Sequence, residues 1–180
     1  MFITLEGIDG SGKSTQAGLL AERLQKRFPR RSVLRTREPG GWEGGGWIRE
    51  RILEGEYLHP MSELLLFLVD RCEHVRRQIL PVLDAGGIVI CERYSDSTMA
   101  YQGYGHGLPL DKLATITSFA TGGLQPDVVA YLDIDVQAGL RRKQQHAQDV
   151  ERVHAHAFES EEEKRKCVML YRDQRKSELT

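Results

Sequence analysis

Three cysteines in 180 residues, Cys72, Cys91 and Cys167, are too few, odd in number and too far apart for a disulfide framework or a thiolate metal site. They read as reduced thiols in packing or surface positions. A net charge of -1 excludes a broad cationic face, so nucleic acid is not an expected partner. No apolar run approaches the roughly 20 residues that a membrane span needs, and a first strand beginning near Met1 leaves no room for a signal peptide. The expectation is a cytoplasmic protein that meets no membrane. The six histidines show no convincing ligand spacing and read as solvated surface. Repeats, low-complexity segments and linkers are also lacking, so residues 1–180 read as one domain, with 40% apolar residues to build its core.

What is present begins at the start of the chain. The apolar run Met1-Phe2-Ile3-Thr4-Leu5 leads into Gly7-Ile8-Asp9-Gly10-Ser11-Gly12-Lys13-Ser14, a complete GxxxxGK[ST] phosphate loop, followed by Thr15 and a helix. The glycines let successive backbone N–H groups surround phosphates; Lys13 adds a cation at the β/γ position, and Ser14 offers a hydroxyl to Mg²⁺. The helix that follows carries Ala17, Leu20, Leu24 and Phe28 on one stripe. On this evidence the chain binds a nucleoside triphosphate, and a kinase, a GTPase and an ATP-driven machine all stay open.

Hydrophobic patterning predicts strands at 2–6, 32–36, 87–91 and 127–133, and helices at about 14–27, 47–54, 62–83, 111–121, 136–144 and 157–175. Alternation of this kind predicts a parallel sheet with helices on both faces, ligands lying beyond the carboxyl ends of the strands. Arg37, Glu92 and Arg93 fall at that rim, and Gly40, Gly41, Gly44, Gly45 and Gly46 predict a mobile loop after the second strand. In the helix from about 62, the stripe Leu65, Leu68, Cys72, Val75, Ile79 and Val82 is expected to be buried. Phe67 and Arg71 fall together on its flank, where an aromatic face and a guanidinium can stack on a base and bond its edge. Equally, Phe67 can be core and Arg71 half of an ion pair. Glu92 at the end of a buried strand suits a metal or its waters, and Arg93 suits a phosphate; the alternative is a structural Glu–Arg pair capping the strand.

Five segments together resemble the bacterial thymidylate kinase family: EGIDGSGKSTQ at 6–16, REPGG at 37–41, LLLFLVDR at 64–71, ERYSDSTMAYQG at 92–103, and Pro126-Asp127 with Tyr131-Leu132-Asp133. The resemblance covers residues 1 to about 160. It implies a three-layer α/β/α phosphate-loop kinase with a mobile lid, transferring the ATP γ-phosphate to dTMP in dTTP biosynthesis with Mg²⁺. On it, Gly7 to Thr15 hold ATP; Asp9 reaches the acceptor sugar's 3′-hydroxyl; Phe67 stacks on thymine and Arg71 bonds its O4 edge. Thr98 lies at the base N3 side, Tyr101 crowds the 2′ carbon, Gln102 joins the dTMP contacts, and Arg37 and Arg93 hold the acceptor phosphate. Ser14 and Glu92 become the metal-side residues. Gly10 stands where other members carry a loop arginine, which passes that charge to the lid at about 141–152, whose cations are Arg141, Arg142, Lys143 and Arg152. Lys13, Arg93, Arg142 and Arg152 are then the catalytic cations, and the family analogy adds a homodimer.

The chain departs from that pattern in several places. Glu92 replaces the usual aspartate; Gln144-Gln145-His146-Ala147-Gln148 is poor in arginine for a lid; His154 replaces an acid; Trp42 and Trp47 sit in an unusually Gly-rich loop. The family's last strand and final helix have no counterpart before Thr180, which keeps a shortened relative that binds nucleotide with little turnover as the alternative.

Overall fold

The computed structural model describes residues 1–149. Its four-stranded sheet is built from short strands: β1 at Phe2–Glu6, β2 at Val33–Arg37, β3 at Ile88–Glu92 and β4 at Val128–Tyr131. All pairings are parallel, in the order β2-β3-β1-β4, with Ile3 opposite Ile90 and Val128, and Thr36 opposite Cys91. Because side chains alternate across a strand, each strand feeds two cores. Phe2, Val89 and Cys91 pack with Val75, Ile79 and Tyr94 on one face, while Ile3, Leu5, Ile88 and Ile90 pack with Ala17 on the other. This is the doubly covered parallel sheet that the continuous apolar run Ile88–Cys91 predicts.

Helix α1 runs over Lys13–Arg27, with Lys26 and Arg27 in its last turn, where cations complement the helix dipole. It lays Ala17, Leu20, Ala21 and Leu24 on the sheet; Phe28 is its exposed C-cap, flanked by Arg27 and Arg31, and not part of the buried stripe. Helices α2 (Gly46–Leu53) and α3 (Pro60–His74) follow; α3 starts at a proline whose missing N–H costs nothing at a helix start. From α3 the chain continues through a π-helical turn, Val75–Ile79, into α4, Leu80–Asp84. The widened turn lies just ahead of Pro81, which cannot donate to the carbonyl one turn back. Leu64, Leu68, Arg71 and Val75 form the buried face at ordinary 3–4 spacing and Ile79 continues it, so Leu65, expected in the stripe, falls beside that face and is exposed.

The segment after β3 was not expected to be helical, yet α5 (Ser95–Thr98) passes into a second π-helical stretch, Met99–Gly105. Helix α6 (Leu110–Thr121) ends on Gly122 in a left-handed cap, and α7 (Val136–Asp149) follows β4. The predicted helix at 157–175, Cys167, His154, His156 and the lid residues beyond 149, Arg152 included, lie outside the described residues. Among those described, no helix is long and apolar enough to cross a membrane. Among the described residues, the expectation of solvated histidines fails at His74, which is fully buried. The glycine-rich loop after β2 is pinned, not loose, since Gly40 N and Trp42 Nε1 both donate to the Asp70 carboxylate at 2.9 Å.

Candidate active site

Parallel strands bring the loops after β1, β2 and β3 to one rim of the sheet. The loop after β1 holds Gly7, Gly10 and Gly12 at positive φ, and Gly12 caps α1 from the left-handed region. Gly10 is required for a second reason: a Cβ there would come 2.2 Å from the carbonyl oxygen of Gly139 on α7, so loop and helix touch backbone to backbone. Lys13 folds back over this loop, donating to the carbonyls of Gly7 at 3.0 Å and Ile8 at 2.8 Å. Burial, and next the charge of Arg93, bring its pKa down to about 7. An ammonium in such a place is a cation short of anions.

Ser14 sits in the first turn of α1 and donates to Glu92 Oε2 at 2.5 Å; Arg35 holds the other carboxylate oxygen at 3.0 Å. Glu92 is buried, and its ionic partner is Arg35 on the neighbouring strand, so the alternative of a Glu92–Arg93 strand cap is not what forms. A hydroxyl and a carboxylate this close are hard oxygen donors of the kind that hold Mg²⁺ beside nucleotide phosphates.

Arg93 follows β3 with φ 69, the left-handed region that a non-glycine residue enters only under constraint. Glu6, at the end of β1, supplies that constraint: its carboxylate accepts from Tyr94 N at 2.7 Å and from Ser97 Oγ at 2.6 Å. Burial and the nearby charge of Asp96 raise the Glu6 pKa to about 7. So fixed, the Arg93 guanidinium donates to Asp9 Oδ1 at 2.6 Å and to Ser97 Oγ at 3.3 Å, and lies 4.8 Å over the Tyr101 ring. Lys143 of α7 donates to the other oxygen of Asp9 at 2.8 Å. Burial alone would raise the Asp9 pKa, but Arg93 and Lys143 carry it well below the usual carboxylate range.

Beyond Arg93 lies a second group. Arg71, 2% exposed, donates from Nε to Glu38, from Nη1 to Thr98 Oγ1 at 2.9 Å and from Nη2 to the Tyr94 carbonyl at 3.0 Å. The sequence left a base contact and an ion pair as alternatives for Arg71; the ion pair exists, and the guanidinium also meets Thr98. Phe67 is half-buried one turn earlier on α3. Gln102 is buried and donates to Glu63 Oε1 at 2.9 Å, an oxygen that also faces His106 at 3.4 Å. Arg37 is exposed at the end of β2, Thr15 is exposed on α1, and Arg142 is exposed on α7.

Several participants were missed. Arg49 of α2 turns toward the same space: burial, then the charges of Arg37 and Arg93, pull its guanidinium below the ordinary value, opposed by Asp70 and Asp9. Nothing local in the sequence marks it, because its place depends on how the 38–45 loop folds. Lys143 was named only among lid cations, yet of Arg141, Arg142 and Lys143 it is the one ion-paired to the phosphate loop. Glu38 and His74 were passed over, although Arg71 and His74 share one face of α3 by their spacing. With Cys91 they bring three ligand atoms within 4.8 Å of one another, but Glu38 is committed to Arg71 and His74, and a guanidinium against that carboxylate opposes a cation.

The chain is similar to known proteins of one family. A family model of thymidylate kinases matches residues 5–178. The chain is 51% identical over 142 residues to the thymidylate kinase of Synechococcus sp. (strain JA-3-3Ab), covering 79% of this chain and 69% of that protein. It is 52% identical over 146 residues to that of Roseiflexus sp. (strain RS-1), covering 79% and 63% respectively. The chain therefore spans about two thirds of these relatives' length. Among solved structures, thymidylate kinase from Ehrlichia chaffeensis is similar at 40% identity and a TM-score of 0.72, over 83% of this chain and 85% of that one.

Proposed function

The chain belongs to the thymidylate kinase family, and we propose that it transfers the γ-phosphate of ATP to the 5′-phosphate of dTMP, giving ADP and dTDP for dTTP biosynthesis. The observation that carries this reading is the position of Arg93. One guanidinium joins Asp9 of the phosphate loop to Ser97 and Tyr101 of the segment that also carries Thr98 and Gln102. A donor site and an acceptor site thereby meet on a single fixed cation.

In the reaction an anionic oxygen of the dTMP phosphate attacks the γ-phosphorus of ATP, and the bond from that phosphorus to the β–γ bridging oxygen breaks, its electron pair leaving on ADP. No strong base is needed, since the attacking oxygen is already ionised; positioning and charge neutralisation do the work. Gly7 to Thr15 cradle the triphosphate, Lys13 follows the migrating group, and Arg93 with Arg37 and Arg49 holds the acceptor phosphate. Phe67, Arg71, Thr98 and Gln102 take the base; Tyr101 bars a ribose 2′-hydroxyl; Asp9 takes the sugar 3′-hydroxyl. Ser14 and Glu92 would hold Mg²⁺, which neutralises phosphate charge when bound. Arg142, Arg152 and Lys143 serve as lid cations, and closing the lid excludes water.

An enzyme of this kind works where ATP and dTMP are, in the cytoplasm. A homodimer is supported by the exposed apolar row Met61, Leu65 and Val69 along one side of α3, which a second copy would cover. Coupled measurement of ADP release with dTMP, dCMP, dGMP and AMP tests the assignment. Release that depends on dTMP and prefers it is the expected result; equal rates with all four acceptors refute the base reading, and ATP binding without release favours the nucleotide-binding alternative.

A further inference from the structure

We propose that Glu38 and His74 are positioning residues that preset Arg71 for discrimination between acceptor bases. The inference rests on the base-reading role given to Arg71 above. A long side chain reads an edge only if its fork is held in one orientation, and Arg71 is held from behind. Of its five N–H groups, Nε–H is given to Glu38 at 2.7 Å, and one hydrogen from each terminal nitrogen goes to Thr98 and the Tyr94 carbonyl. By count, one hydrogen remains on each terminal nitrogen.

Glu38 could swing about its own bonds if Arg71 alone engaged it. His74 prevents that by donating from Nδ1 to the second carboxylate oxygen at 3.0 Å. The other ring nitrogen meets the Thr36 hydroxyl at 2.7 Å, and that hydroxyl also reaches the Gly41 carbonyl at 3.1 Å. Thr36 belongs to β2 and is paired in register with Cys91, so the series Thr36–His74–Glu38–Arg71 refers the guanidinium to the sheet instead of to its own helix alone. The side chains of Arg71, His74 and Glu38 are 2%, 0% and 3% exposed, so water cannot replace a lost partner. Burial would raise the Glu38 pKa, but Arg71 and His74 hold it below the carboxylate norm, keeping it an acceptor for both.

Discrimination follows from donor chemistry. Thymine offers a carbonyl oxygen at position 4, where cytosine offers an amino group, and a guanidinium can only donate. A loosened guanidinium should therefore blur dTMP against dCMP, which a general loss of packing would not do.

The test compares His74→Leu, Glu38→Gln and Thr36→Val in the full chain, with Arg71→Lys as the reference for base reading itself. For His74→Leu and Glu38→Gln, loss of an outer partner should raise the KM for dTMP about tenfold, leave the KM for ATP within about twofold, and lower the dTMP to dCMP ratio of kcat/KM about fivefold or more. Thr36→Val should show the same pattern more weakly. If Glu38→Gln fails to fold, the other two carry the test. Unchanged discrimination in folded His74→Leu and Thr36→Val, with Arg71→Lys having lost it, overturns the positioning role. If Arg71→Lys also keeps full discrimination, the base-reading role has failed and the inference falls with it.

Discussion

ATP binding should take up a proton at alkaline pH, and the group responsible is Lys13. In the free protein its pKa is brought down to about 7, first by burial and then by Arg93. Triphosphate oxygens in the loop supply the missing counter-charge, which returns the ammonium toward its ordinary value. At pH 8 the free lysine is then about one-tenth charged and the bound one almost fully charged, an uptake of about 0.9 proton per ATP; at pH 6 the figure is about 0.1. The bound state holds more protons, so affinity falls as pH rises above 7, by up to about tenfold per unit, or about 1.4 kcal/mol. Glu6 also titrates near 7; at pH 8 it is about nine-tenths ionised, so it can offset that uptake by releasing no more than about 0.1 proton. Titration calorimetry of MgATP at pH 8, in buffers of differing ionisation enthalpy, reads the uptake directly. Heats that ignore the buffer, or affinity that rises from pH 7 to 9, refute the reasoning.

Three further outcomes are expected. Lys143→Ala should lower kcat about tenfold or more while Arg142→Ala lowers it less, because Lys143 is the one held at the loop by Asp9; steady-state kinetics would reverse that ranking if the exposed Arg142 carried the charge. Gly10→Ala puts a side chain where φ is 78 and a carbonyl would lie 2.2 Å away, so α7 must move off the loop. The left-handed strain alone is about 1–2 kcal/mol, and both melting temperature and turnover should fall; a variant with native values of both would show that the contact is dispensable. Asp9→Asn removes the counter-ion shared by Arg93 and Lys143; because the Asp9 side chain is 44% exposed, the change should cost the free protein only about 1 kcal/mol, less with ATP and dTMP bound, as thermal melts with and without ligands would reveal.

Strand and loop chemistry made the first half of the site legible. The glycine spacing of 7–14 and the apolar run at 88–91 each have one physical reading, and both elements formed where expected. The helix at 95–105 was less legible, because polar Ser95, Asp96, Ser97 and Thr98 earn no periodic signal and are ordered by tertiary contacts instead: Ser97 through Glu6, Thr98 through Arg71. The buried face of α3 runs through Leu64, Leu68, the polar Arg71 and Val75, so a count of apolar residues alone misplaced Leu65. His74 was misread for a related reason. A histidine is polar in any composition count, and only the fold puts Glu38 and Thr36 on its two nitrogens.

The charges at the rim explain why Asp9 matters before any substrate arrives. Arg37, Arg49 and Arg93 converge from three elements, and the depressed pKa values of Arg49 and Lys13 record their mutual repulsion as well as burial. Left to themselves, such cations would turn outward to water. Two anchors oppose this: Glu6 fixes the backbone around Arg93, and Asp9 holds the Arg93 and Lys143 heads on its two oxygens. The protein therefore carries its own carboxylate among cations suited to phosphate, which keeps the phosphate loop, Arg93 and α7 converged. An arriving phosphate meets donors already aimed, and the repulsion stored among them is relieved on binding, so part of the affinity for anions is set by the fold before the ligand is present.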